Sequence, residues 1–303
     1  MRLAILFSGQ GNQRAEHFAR LRATAPAGLR PALAAHLPEV WQAAAPADGA
    51  LAANRVAQPL IFGLQMTLWA ELQAELPCPV CVAGYSLGEM AACAAAGVFT
   101  ASEGIGLCRQ RAELMDTAAG DACGMAAILG LDATAVATIA SAGGVSVAIR
   151  NGPRHFVVAG PRAAVAAATA TAERQGATRT VLLAVQTPSH TARLQPASER
   201  FAALCADYPD ARLAFPVVGA IDGIPALTRR AALAALARQI STPLDWLATM
   251  TTVIEMQPDA VLEIGPGNAL CRLLAEVAPA LPARATDDFR STAGILGWIG
   301  SFA

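Results

Sequence analysis

Val80-Cys81-Val82-Ala83-Gly84-Tyr85-Ser86-Leu87-Gly88-Glu89 decides how this chain is read. Residues 80–83 are small or β-branched and apolar, which reads as a short buried strand ending at Gly84. A helix is expected from just after Ser86 to about Ala96. Between them lies Gly-x-Ser-x-Gly. In a strand-to-helix turn this pattern sets a serine on a sharp, strained bend and lifts its hydroxyl above the sheet. The next amide, that of Leu87, then points to where an oxyanion would form, and the helix adds the positive end of its dipole. Ser86 is therefore a candidate nucleophile for acyl transfer. A glycine-rich β-to-α turn with a serine N-cap would leave the same five letters, so the reading needs partners elsewhere in the chain.

Outward from the elbow, short apolar strands alternate with alanine-rich helices, the pattern of an α/β protein. Residues 3–7 read as a strand leading into the loop Ser8-Gly9-Gln10-Gly11-Asn12-Gln13. Helices are expected over about 30–44 and 58–76. Gly97 stops the post-elbow helix, and Thr100 and Glu103 have capping-box spacing for the next, which runs to about Ala118. From 122 to 187 the rhythm changes. Strands at 125–129, 145–149, 155–159 and 180–185, with helices at 132–141 and 161–175, give β-α-β-β-α-β, the split βαβ or ferredoxin-like order. The expected fold is a hydrolase-like α/β domain over residues 1–121 and 188–303, with a small ferredoxin-like subdomain inserted at 122–187. Beyond the insertion come the loop Thr187-Pro188-Ser189-His190, helices near 191–206, 229–240 and 243–256, and a strand at 260–264. That strand runs into Gly265-Pro266-Gly267. A dinucleotide loop would need a third glycine where Leu270 stands, so a strand-to-helix turn is expected there.

Composition excludes several classes of function. The 303 residues are 54% hydrophobic, enough for one large core or two modest ones. Net charge is −1 without blocks of like charge, which gives no basis for binding nucleic acid or an anionic membrane. No apolar run is long enough for a membrane span, and the first residues read as a strand rather than a signal peptide. All basic residues besides histidine are arginine, which removes a phosphate-loop lysine and a Schiff-base lysine. Seven scattered cysteines fit a reducing cytoplasm better than a disulfide framework. Cys78-Pro79-Val80-Cys81 has redox spacing but runs into a strand, where a redox pair should open a helix. No metal site is expected.

A serine nucleophile needs a base, and the four histidines are His17, His36, His155 and His190. In the hydrolase-like order the base follows the serine, which leaves His155 and His190. His155 heads a strand beside Arg154, as a surface residue would. His190 lies in a loop just after a strand, where catalytic side chains tend to lie, though a histidine at a helix start without chemistry is also compatible. Arg111 falls on the second helix beyond the elbow. Its guanidinium could take a carboxylate through two parallel hydrogen bonds, a charged-group interaction worth about 1.5–3 kcal/mol. It could equally pair with Glu113 or Asp116 at the surface.

These residues resemble the malonyl-CoA:acyl-carrier-protein transacylase family along essentially the whole chain. The matching landmarks are Ser8-Gly9-Gln10-Gly11-Asn12-Gln13, Gln58-Pro59, Gly84-Tyr85-Ser86-Leu87-Gly88-Glu89, Arg111, Asn151, Pro188-Ser189-His190, Gln239 and Glu263-Ile264-Gly265-Pro266-Gly267. The resemblance implies that Ser86 becomes malonylated and that His190 is general base and then acid. It implies that Gln239 supplies the carbonyl that orients His190, and that the Gln10 and Leu87 amides form the oxyanion hole. Arg111 would hold the malonyl carboxylate, with Asn151 and Gln58 near the substrate. It further implies malonyl-CoA as donor, a small acyl carrier protein bearing a phosphopantetheine-type arm as acceptor, and no permanently bound cofactor.

Two departures stand out: Tyr85 where the family usually has histidine, and Ser8 where it usually has proline. A Gly-Tyr-Ser elbow resembles the malonyl-transferring epsilon subunit of bacterial malonate decarboxylase, which would add that enzyme's other subunits as partners. The alternative is a transacylase of fatty-acid or polyketide synthesis. An esterase or thioesterase, or a non-catalytic subunit of a complex, would fit less of the pattern.

Overall fold

A computed structural model describes residues 1–42, 46, 48–120 and 122–302. The strands run in chain order as β1 (Leu3–Phe7), β2 (Cys81–Gly84), β3 (Cys123–Leu129), β4 (Ser146–Gly152), β5 (His155–Pro161), β6 (Arg179–Leu182), β7 (Arg212–Val218), β8 (Pro225–Thr228), β9 (Leu244–Asp245), β10 (Ala260–Ile264) and β11 (Ala283–Ala285). The helices that carry or frame the site are α1 (Asn54–Leu72), α2 (Gly88–Ala95), α3 (Ala101–Ala119), α4 (Ala133–Gly143), α5 (Arg162–Arg174), α6 (Arg229–Arg238), α7 (Trp246–Glu255) and α8 (Ala269–Val277).

Two sheets organise the molecule. The larger has the order β11-β10-β1-β2-β7-β8, parallel except for the β7–β8 hairpin. All five residues of β1 are buried, as expected of a parallel strand covered on both faces. Their side chains alternate: Leu3, Ile5 and Phe7 join one apolar core, Ala4 and Leu6 another. The second sheet has the order β6-β3-β5-β4-β9. Within it, β3 to β6 with α4 and α5 form the split βαβ unit that the sequence order implies. Ala127, Val157 and Ala159 face the large sheet, while Ala126, Ile128 and Val158 pack under α4 and α5. The fold is thus α/β with an inserted ferredoxin-like unit, and the two sheets share the middle core.

Several elements differ from the sequence reading, each for a local reason. The helix expected over 30–44 breaks into Arg30–His36 and a 3-10 turn at Pro38–Trp41, because Pro38 cannot continue a helix. Residues 43 and 44 lie outside the described residues, as does the boundary residue 121. Helix α1 starts at Asn54 and absorbs Pro59. The Arg55 carbonyl, which Pro59 cannot serve, accepts from Arg109 Nη1 at 3.3 Å. The helix expected from 243 begins at Trp246, since Leu244 and Asp245 pair in parallel with β4 and Asp245 caps the Ala248 amide. Strands β7, β8 and β11 were not expected. The capping box of α3 is present, with Thr100 and Glu103 bonded reciprocally. Among the described residues Cys78, Cys81, Cys93, Cys108, Cys205 and Cys271 are thiols outside any disulfide. Among the described residues no helix is long and apolar enough to cross a membrane.

Candidate active site

The elbow forms at the end of β2, beside β1. Ser86 has φ 52°, a left-handed conformation that costs a non-glycine residue energy. The glycines make this turn possible. A Cβ at Gly88 would lie 2.0 Å from the Phe7 carbonyl oxygen, and one at Gly84 2.1 Å from the Gly88 carbonyl carbon. The Ser86 carbonyl accepts from the Glu89 amide at 3.1 Å and from Gln239 Nε2 at 2.9 Å. The strained turn is therefore held from two sides.

His190 is the histidine that meets this serine. The Ser86 hydroxyl and His190 Nε2 are 2.8 Å apart. On its other side, His190 Nδ1 lies 2.5 Å from the main-chain carbonyl of Gln239. A carbonyl only accepts, so Nδ1 carries the proton and Nε2 is left to accept from Ser86. The expected carbonyl of Gln239 is thus its main-chain one, while its side chain binds the elbow. His190 also has a positive φ of 62°, and its amide donates to the Ile240 carbonyl at 3.0 Å. Burial pushes its pKa down from 6.5 to about 3; the Gln239 carbonyl opposes that shift and the Arg111 charge adds to it. At neutral pH the imidazole is an uncharged base. The loop before it is tied down by Asn54 Nδ2, which donates to Thr187 Oγ1 at 2.7 Å and to Asp116 Oδ1 at 2.6 Å. His155, the other candidate, faces Asn151 Nδ2 at 3.4 Å instead of the serine.

Arg111 is not a surface residue. It is 1% exposed on α3, and its Nη1 donates to Gln58 Oε1 at 2.9 Å. Its Nε and Nη2 are buried and find no hydrogen-bond partner among the described residues. The alternative carboxylates are engaged elsewhere: Glu113 with Arg109 at 2.6 Å, Asp116 with Asn54 and Thr187. Burial lowers the Arg111 pKa from 12.5 to about 10, so it stays cationic at neutral pH. A buried, half-partnered guanidinium is costly unless an anion completes it, and its planar fork suits a carboxylate.

Ser86, Leu87, Gln10, Arg111, Gln58, Asn151 and His190 all line one cavity of about 480 Å³ between the two sheets. Among the described residues, no protein group accepts a hydrogen bond from the backbone amides of Gln10 and Leu87. The Gln10 loop is fixed from below: Ser8 Oγ donates to buried Glu263 at 2.8 Å, and Gln65 Nε2 donates to the Ser8 carbonyl at 2.8 Å. Asn151 enters from β4 and accepts from the Tyr85 hydroxyl at 3.0 Å; the Tyr85 ring stands edge-on to Trp246. The outer end is formed by His155, Arg179, Arg272 and Glu276. Among the described residues no cluster of His, Cys, Asp or Glu could hold a metal ion.

Three residues of this arrangement were not assigned from the sequence: Gln65, Glu89 and Glu263. The signal was there for Glu263, a carboxylate inside an otherwise apolar strand. Glu89 and Gln65 are polar positions on helices that are apolar around them.

Fold and site together are those of an acyl-transferring enzyme. The chain belongs to the acyl transferase domain family, which matches residues 5–283. It is 31% identical over 308 residues to the malonyl CoA-acyl carrier protein transacylase of Salmonella typhimurium, covering 94% of this chain and 96% of that one. The structure of the malonyl CoA-acyl carrier protein transacylase from Coxiella burnetii matches with a TM-score of 0.90 at 25% identity, over 100% of this chain and 98% of that one. PlMCAT, a malonyl-transacylase solved with AntF, its type II polyketide acyl-carrier protein, matches with a TM-score of 0.87 at 29% identity, over 98% and 99% of the two chains.

Proposed function

We propose that this chain is a malonyl-CoA:acyl-carrier-protein malonyltransferase that works through a malonyl-Ser86 ester. The observation that carries the reading is the 2.8 Å Ser86–His190 hydrogen bond in a cavity shared with the half-partnered cation Arg111. Ser86 Oγ attacks the thioester carbonyl of malonyl-CoA as its proton passes to His190 Nε2. The Gln10 and Leu87 amides receive the oxyanion. Collapse expels the CoA sulfur, which takes the proton back from Nε2. In the second half, the thiol of the carrier's phosphopantetheine-type arm gives its proton to His190 and attacks the ester, and Ser86 leaves with that proton. Throughout, Arg111 Nε and Nη2 hold the free carboxylate, with Gln58 fixing the third edge of the guanidinium. Asn151, tied to Tyr85, forms the wall beside the substrate. No resident cofactor is needed, and a cytoplasmic location fits CoA chemistry.

For the pathway, the comparisons back a transacylase of fatty-acid or polyketide type better than the malonate decarboxylase epsilon subunit suggested by the elbow. Tyr85 is the observation that favours the second reading, and with it the other decarboxylase subunits as partners. Malonyl-loaded enzyme offered two carriers separates them: a phosphopantetheine carrier should accept malonyl under the first reading, and a carrier bearing the decarboxylase's prosthetic group under the second. If malonate instead appears in water at the same rate with and without either carrier, the chain is a hydrolase and the transferase reading fails.

A further inference from the structure

We propose that Glu89 is a positioning residue for the reaction, acting through Gln239 to align His190. The inference rests on the Ser86–His190 reading above and extends it to a residue that touches no substrate.

Glu89 sits in the first turn of α2 and is 1% exposed. A buried carboxyl is costly and is retained only where its hydrogen bonds are made. Its Oε2 accepts from Gln239 Nε2 at 3.1 Å. Burial pushes the pKa of this carboxyl up to about 8, against the opposing pull of the nearby Ala220 amide and the Arg111 charge. The same Gln239 Nε2 donates to the Ser86 carbonyl at 2.9 Å, and the Glu89 amide donates to that carbonyl as well. Gln239, itself fully buried, caps the C-terminus of α6. The two carbonyls that fix the base come from this turn: Gln239 O on His190 Nδ1 and Ile240 O on the His190 amide. Glu89 thus closes a chain from nucleophile to base. It fixes the side chain of the residue whose main chain orients the imidazole, and it braces the two left-handed residues Ser86 and His190. Arg111 and Asp222 are the charged groups that act on Glu89, and neither is bonded to it. Its hydrogen bonds, more than its charge, are what the site uses.

The test measures malonyl transfer by Glu89→Ala, Glu89→Gln and Glu89→Asp in the full chain, together with Gln239→Ala and the Glu89→Ala/Gln239→Ala double variant. A displacement of about 1 Å at a reacting group lowers the rate by about 100-fold. The expected result is a loss of about 10- to 100-fold in kcat for E89A, with the malonyl-CoA KM within about twofold of the parent. E89Q keeps an acceptor for Gln239 Nε2 and should return to within about threefold of the parent. E89D retracts the acceptor and should lose activity in the same direction as E89A, so it stands in if E89A does not fold. The double variant should be no slower than Q239A alone, the non-additivity expected of residues acting in series. An E89A enzyme with parental kcat overturns the proposal. So does an active E89D beside an inactive E89Q, which would assign the effect to charge. Absence of malonyl on Ser86 in the parent enzyme would instead overturn the underlying catalytic reading.

Discussion

The two ends of the cavity are built on opposite principles. Gln58, Arg111 and His190 at the inner end, and Glu89 and Gln239 behind it, are each at most 1% exposed. Each has hydrogen-bond partners that fix it, and among the described residues Arg111 Nε and Nη2 and Gln239 Oε1 are left without one. At the outer end, Arg179, Arg272 and Glu276 are exposed, and water competes for each of their interactions. A hydrogen bond or charge at the inner end is unscreened and geometrically fixed, whereas an exposed pair is worth about 0–1 kcal/mol. On the proposed mechanism the chemistry is therefore concentrated in a few buried groups.

Substitutions should fall in that order. His190→Ala removes the base and should slow malonylation of the enzyme by about 10²- to 10⁴-fold, measured by rapid-quench mass spectrometry. Arg111→Ala removes the charged fork. It should cut the preference for malonyl over acetyl by about 10- to 150-fold, read from kcat/KM for the two thioesters. Tyr85→Phe removes one neutral hydrogen bond to Asn151 and should change kcat/KM by about 2- to 12-fold. Arg179→Ala and Arg272→Ala should change it by about fivefold or less, an effect that shrinks further as salt rises. A loss above 100-fold at either outer arginine would break the division between the two ends.

pH sharpens the same contrast. His190 is held neutral down to about 3 by burial, against 6.5 when exposed. A base with a depressed pKa stays active as pH falls below 6.5, so the acid limb of enzyme malonylation should lie below that value. The sign for stability is the reverse. Between 6.5 and 3 the unfolded chain takes up a proton that the folded imidazole refuses, so this site loses stability as pH falls. His190→Ala should therefore show a shallower decline of Tm with acid over that window.

Much of this was legible in the sequence, but unevenly. The elbow is a local object: two glycines, a strand before and a helix after, all within one short stretch. The split βαβ order was also readable, because its elements follow one another along the chain. His190 was not fixed by spacing, since it meets Ser86 across a separation of 104 residues, and the sequence alone left His155 open. The geometry separates them through the Gln239–Ile240 turn, a contact that no local pattern encodes. Arg111 was balanced between surface and site until its burial and the engaged states of Glu113 and Asp116 decided it. Glu89 was visible as a letter of the elbow motif, yet its role depends on a glutamine 150 residues away. β9 was lost because two residues leave no periodicity, and Asp245 there reads as a helix start, which it also is.

The proposed mechanism stands or falls on Ser86 as the residue that carries the acyl group. Incubating the protein with malonyl-CoA, digesting it and mapping the added mass tests this directly. One malonyl group on the peptide containing Ser86, absent from Ser86→Ala and discharged when an acyl carrier protein is added, is the predicted result. Malonyl found on another residue, or full transfer activity in Ser86→Ala, would contradict it.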